Sequence, residues 1–210
     1  MIYPQACGLP ILDHVTISVY CGFLKIHRQY IMGMDFFTVP TISFKTLYVF
    51  FIIDHARRKI VHFNITEHPT AEWVVQQLKN AFPFDSAPKY LIFDRDSIFS
   101  ARVKQFIRDM DIKPKVISYK CPWQNGVAER FVLSVRNDML NQIIIFNEDQ
   151  LRDFMNQYFK YYNNERCHLA VSRDSPNGRE IQNKPFKSAR IISFPRIGGL
   201  HHMYKWDKAA

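Results

Sequence analysis

Cysteine is scarce in this sequence, and the little there is stands apart. Cys7, Cys21, Cys121 and Cys167 form no C-x-x-C pair and have no histidine pair at zinc spacing beside them. Neither a disulfide framework nor a zinc knuckle is therefore indicated, and free thiols in a reducing compartment are expected. Long apolar runs are missing too: none reaches the roughly 18 residues that a membrane-spanning helix requires. The opening MIYPQACGLPILDH has no charged stretch leading into an apolar one, as a secretory signal would. A soluble, cytoplasmic protein without a membrane partner is the expectation. Internal repeats and low-complexity tracts are also absent. Acids are in short supply, 19 Asp and Glu against 28 Lys and Arg, which leaves a net charge of +9 and a pI near 9.4. Such a balance suits a polyanionic partner, nucleic acid before membrane.

What is plentiful is core material. Hydrophobic residues make up 47% of the 210 residues and aromatics 15%, enough to fill one full core domain. Residues 1–30, broken by Pro4, Gly8, Pro10 and Gly22, read as a poorly defined lead-in. From Ile31 the runs IMGMDFFTV, TLYVFFIID and RKIVHFNI form three successive strands, an antiparallel meander around the turn-like DHARR. Ala71, Val74, Val75, Leu78, Ala81 and Phe82 then fall at helical spacing behind Thr70, a cap residue. The short apolar run KYLIF, ending at Asp94, reads as a buried parallel strand. A second helix carries Val103, Phe106, Ile107 and Met110 behind Ser100, and PKVISY makes a fifth strand.

Two further helices close the core, one over about 124–141 with Val127, Phe131, Val135 and Met139 in step. The other starts at a capping box of Asn147 and Gln150 and buries Leu151, Phe154, Met155, Tyr158, Phe159 and Tyr162. The order is β-β-β-α-β-α-β followed by two helices, in a core spanning 31–172. The turn-rich SRDSPNGRE and NKPFK open a basic C-terminal extension, 173–210, with eight basic side chains against three acids. A solvated tail and a phosphate-contacting one are equally good readings of it.

Three acids stand in unusual places. Asp35 interrupts an apolar strand, where alternation puts it on one face with Gly33, Phe37 and Val39. Asp94 closes a buried strand, and ligand sites in open α/β sheets gather beyond such ends. Glu129 begins a core helix. On a helical projection Asn125, Glu129 and Arg136 share a sector of about 40° on the flank of the apolar stripe.

The segments GMDFFTV, FDRDSIF and CPWQNGVAERFVLSVRNDML, with 34 residues between Asp94 and Glu129, resemble the D, D(34–35)E signature of the retroviral integrase superfamily. The likeness is greatest to bacterial integrase core proteins related to the IS3 and IS481 transposases. Arg136, seven residues after Glu129, is similar to the Lys/Arg that extends their signature, and YYNNERCHLAV resembles their Y-Y-N-x-x-R-P-H segment. Cys167 stands where that segment usually has Pro, and Asp96 where many relatives have Gly.

The resemblance covers about 22–206 and implies an RNase H-like α/β fold, a mixed five-stranded sheet with helices on both faces. It implies a catalytic set of Asp35, Asp94, Glu129 and Arg136. Of these, the three carboxylates would hold Mg²⁺ or Mn²⁺, with Asp35 bridging two ions. Lys120, Gln124, Asn125, Arg130 and Arg136 are the expected DNA contacts. The implied activity is metal-dependent cleavage at DNA 3′ ends and strand transfer, on element ends and target DNA, by a homo-oligomer associated with the bacterial nucleoid. A nuclease without strand transfer, and an inactive DNA-binding remnant, are the alternatives. The end-reading helix-turn-helix and the zinc module of full-length relatives have no counterpart in this sequence.

Overall fold

The computed structural model describes residues 22, 24, 26–83, 86–119 and 121–207. Most of the lead-in lies outside them. The backbone builds β1 (Ile31–Pro40), β2 (Thr46–Asp54), β3 (Ile60–Thr66), α1 (Ala71–Ala81), β4 (Tyr90–Phe93), α2 (Ala101–Asp109), β5 (Lys113–Val116), α3 (Gly126–Asp138) and α4 (Glu148–Asn164). Five strands form one sheet in the order β3-β2-β1-β4-β5. The first three are antiparallel, while β4 runs parallel to β1 and β5 parallel to β4. Among the described residues no helix is long and apolar enough to cross a membrane.

Alternation along the central strands sorts side chains into two cores. Phe37, Val39, Phe51 and Ile53 meet Ala128, Phe131 and Val135 of α3 and Leu151, Met155 and Phe159 of α4. Met34, Phe50 and Ile52 meet Val74 and Leu78 of α1 and Val103 and Ile107 of α2. The sheet thus lies between two helix pairs. The continuous apolar run of β2, Val49 to Ile53, follows from burial on both faces.

Helix starts follow the cap residues with one exception. Thr70 Oγ1 accepts from the Trp73 N–H at 3.1 Å, and Asn147 Oδ1 accepts from the Gln150 N–H at 2.9 Å. Gln150 Oε1 accepts from the Phe146 N–H, one residue earlier than a capping box would have it. Ser100 precedes α2, yet its hydroxyl makes no cap bond and is buried without a partner among the described residues. The fifth strand is also shorter than PKVISY. Ser118 leaves the ladder because its N–H is taken by Gln124 Oε1 at 2.6 Å.

The segment YYNNERCHLAV fastens elements together. Asn163 pairs both its amide groups with the Ile60 backbone, donating at 3.0 Å and accepting at 2.9 Å, so α4 is tied to the start of β3. Arg166 Nε meets Asp138 Oδ2 at 2.8 Å, which joins the end of α4 to the end of α3, and the Tyr158 hydroxyl donates to the same oxygen.

Beyond Ser172 the chain stays on the core. Arg57 donates to the carbonyls of Ser175 and Pro176 and pairs with Asp174. A hairpin of β6 (Ile191–Arg196) and β7 (His201–Trp206) follows, which the sequence pattern does not reveal. Its connecting turn buries Ile197 in the α3–α4 core, and Arg196 holds Glu165 at 2.8 Å.

Candidate active site at the end of the central strands

Asp35 lies on β1 on the face that carries Phe37 and Val39, so its carboxyl looks toward the α3 side of the sheet. Gly33 pairs with Ile92 across the parallel β1–β4 ladder. Asp94, two residues past Ile92, therefore comes level with Asp35 just beyond the end of β4. Glu129 occupies the first turn of α3, whose Ala128 and Phe131 pack on the same face of the sheet. The fold brings the three acids near one another where β4 ends, beside the middle of β1.

Their electrostatics agree. Asp35 is pushed up to about 7, chiefly by burial; its Oδ1 accepts from the Phe36 N–H, which works against the rise, while the charges of Asp94, Glu129 and Asp96 add to it. Asp94 is raised by burial and by Asp96, against an opposing bond from the Asp96 N–H, 3.0 Å from Oδ1. Glu129 is raised by partial desolvation although its residue is exposed. Excess negative potential thus gathers around Asp35. Among the described residues, however, no three His, Cys, Asp or Glu side chains close into a ready-made metal cage.

Asp96 has a local task. Its Oδ1 accepts from the Ile98 N–H at 2.9 Å and its carbonyl from the Phe99 N–H at 3.0 Å, so it shapes the turn between β4 and α2.

The other candidate residues are dispersed. Arg130 is exposed beside Glu129. Arg136 turns to β1, where Nη2 donates to the Thr38 carbonyl at 3.2 Å; among the described residues no ion pair joins it to Glu129. Gln124 braces the loop after β5 through the Ser118 N–H. Lys120 lies outside the described residues. Asn125, expected at the DNA surface, is only 2% exposed and sits at the N-cap of α3, with Nδ2 3.4 Å from the Met34 carbonyl.

Sequence reasoning passed over two neighbours of Asn125. His55, read as part of a turn, is buried with Nε2 sealed from solvent, and Gly33 leaves a space that both that nitrogen and Asn125 Oδ1 border. A histidine flanked by Asp54, Ala56 and two arginines carries no periodic signal of burial.

Comparison with known proteins completes the picture. Two family models, each described as an integrase core domain, match residues 27–121 and 110–176. A curated relative in Escherichia coli strain K12, the putative transposase InsD for insertion element IS2E, is 29% identical over 140 residues, covering 62% of this chain and 63% of that protein. The Escherichia coli transposase InsD for insertion element IS2A/D/F/H/I/K is 29% identical over the same length, covering 62% of this chain and 46% of its own. The match thus spans about half to under two thirds of these relatives' length.

Among solved structures, the catalytic domain of Mos1 mariner transposase aligns with a TM-score of 0.58 at 11% identity, covering 68% of this chain and 76% of that one. The catalytic core domain of HTLV-2 integrase in complex with magnesium aligns with a TM-score of 0.53 at 13% identity, covering 69% and 92%. At such identities the likeness speaks to the fold alone.

Proposed function

The chain belongs to the integrase core family, with an RNase H-like integrase/transposase core, and from that premise we propose that it is a DDE-type polynucleotidyl transferase that cleaves DNA 3′ ends and joins them to target DNA. What supports this reading is that Asp35, Asp94 and Glu129 lie near one another where β4 ends beside the middle of β1, with the Asp35 carboxyl pushed up to about 7 by burial and by the other charges.

The donor set fits a hard divalent cation. Three carboxylates offer only oxygen, which Mg²⁺ and Mn²⁺ prefer to nitrogen or sulfur, and the negative potential at Asp35 needs a positive partner. Asp35, Asp94 and Glu129 would hold the ions, two of them being the number that serves both oxygens of the displacement. When bound, such ions offset charge building on the entering and leaving oxygens of an in-line displacement at phosphorus.

The chain's own residues do the rest. Asp35, fixed in the middle strand between β2 and β4, is the rigid member of the set. Asp94 and Glu129 approach it from a strand end and a helix start. A carboxyl near pKa 7 sheds its proton as a cation arrives, so metal affinity should climb between about pH 6 and 8. Arg130, exposed one residue after Glu129, is the proposed phosphate contact, and Arg136, tied to β1 by its bond to the Thr38 carbonyl, is the proposed basic partner of the site. No side chain need form a covalent intermediate: water cuts first, and the freed 3′-hydroxyl then attacks.

DNA, as element end and target, is the proposed partner, and pairing of two ends by a homo-oligomer the proposed working form. The test is incubation of the purified protein with labelled element-end duplex and Mn²⁺. Nicked and joined products support the reading. Nicks without joining reduce it to a nuclease, and neither product refutes it.

A further inference from the structure

Two buried polar atoms near the acids have no hydrogen-bond partner among the described residues, and both border the space where a side chain at residue 33 would stand. His55 is 5% exposed and Asn125 2%; His55 Nε2 and Asn125 Oδ1 are both sealed from solvent and, among the described residues, unpaired. A Cβ added to Gly33 would stand 3.0 Å from His55 Nε2 and 2.8 Å from Asn125 Oδ1. Both atoms therefore border the one small space that glycine leaves open.

We propose that His55 is a positioning residue: its Nε2–H hydrogen-bonds the Asn125 carboxamide oxygen over Gly33, directly or through one water, and so fixes the start of α3 against β1. The inference rests on the reading of Asp35, Asp94 and Glu129 as one metal-dependent site.

Donor and acceptor roles follow from the surroundings. The Met34 carbonyl can only accept, so the amide that points at it must be Asn125 Nδ2, and Oδ1 is left as an acceptor on the Gly33 side. That acceptor needs a donor, and the His55 ring supplies the neighbouring polar atom. Burial and the Arg58 charge push His55 far down, to about 3, so its ring is neutral with one N–H to place. Placing it on Nε2 satisfies both orphaned atoms, and native interiors seldom leave such atoms unpaired. The ring is itself anchored, because the His55 backbone N–H donates to the Ile31 carbonyl at the start of β1 at 3.1 Å.

Asn125 is the N-cap residue of α3, and Glu129 lies one turn beyond. A contact that holds Asn125 to the Met34 carbonyl, one residue before Asp35, thus sets the approach of Glu129 to Asp35. Gly33 is required because any Cβ would enter the contact from the strand side.

The intact protein labelled with nitrogen-15 at histidine tests the bond without metal or DNA: His55 should appear as the Nε2–H tautomer with a slowly exchanging proton. The Nδ1–H tautomer would overturn the proposal. Mn²⁺-induced thermal stabilisation then tests the positioning role. His55→Leu and Gly33→Ala should each raise the midpoint Mn²⁺ concentration about tenfold. The double variant should add little to either, and His55→Gln, which keeps a donor, should restore most of the affinity. Should His55→Leu fail to fold, Gly33→Ala and His55→Gln still separate the outcomes, since a merely structural role predicts no rescue by the donor. Unchanged midpoints in all variants would refute it. Wild-type protein that binds Mn²⁺ through this site but neither nicks nor joins DNA would overturn the proposed function and leave this contact standing.

Discussion

At the scale of single residues, Asp35 carries the clearest consequence. Its folded pKa near 7 lies above the ordinary carboxyl value, so between about pH 4 and 7 the folded state keeps a proton that the unfolded chain has lost. The contribution of this group to stability is therefore greatest below about pH 4 and is lost as pH rises through about 7. In chelator, melting curves of the wild type should decline over that window, while Asp35→Asn should flatten the decline and melt higher at pH 8. The same substitution, like Asp94→Asn or Glu129→Gln, should lower Mn²⁺-dependent DNA cleavage about a thousandfold or to background. Asp96→Asn should be mild, because an amide oxygen can still accept from Ile98 and hold the turn. Rates for the four variants, measured side by side, check the assignment: an inactive Asp96→Asn beside an active Asp94→Asn would exchange their roles.

At the scale of elements, the segments with the most buried surface, on both faces of β2 and along one face of α4, were the readable ones. β2 announces itself through Val49 to Ile53, and α4 through the stripe from Leu151 to Tyr162, because burial demands a periodicity that sequence displays. Asp35 and Asp94 drew the eye for the opposite reason: Asp35 interrupts the apolar run of β1, and Asp94 follows directly on the apolar run of β4. What stayed hidden depends on contacts across the chain. The β6–β7 hairpin leaves Ile191, Ile192 and Phe194 exposed and carries Pro195 within a strand, so neither alternation nor composition marks it. Its hold comes from Ile197, Glu165 and the Asp138 carbonyl, which accepts from His201. The burial of Asn125 was missed for the same reason, since helical angle alone does not show that the short 3-10 turn Pro122–Asn125 before α3 brings its last residue against β1. Capping gives an independent check on α4: Asn147→Ala should cost about 1 kcal/mol in denaturant unfolding with an unchanged m-value.

At the scale of the molecule, the net charge of +9 is a long-range attraction for polyanions, and much of it sits after Ser172. Lys187, Arg190 and Lys205 are exposed there. Replacing each with Gln should reduce the salt slope of duplex binding by about one for every phosphate no longer neutralised, without favouring any sequence. Point changes are preferable to truncation, because removing 173–210 would also strip Ile197 and Arg196 from the core. The proposed function depends on Asp35, Asp94 and Glu129 acting as one cation site, so the measurement that tests the account most directly is thermal unfolding with and without Mn²⁺, in the wild type and in the Asp35→Asn, Asp94→Asn, Glu129→Gln triple variant. A cation that binds only the folded site raises the melting temperature by mass action. The account predicts a clear upward shift for the wild type and none for the triple variant; an equal shift in both would contradict it.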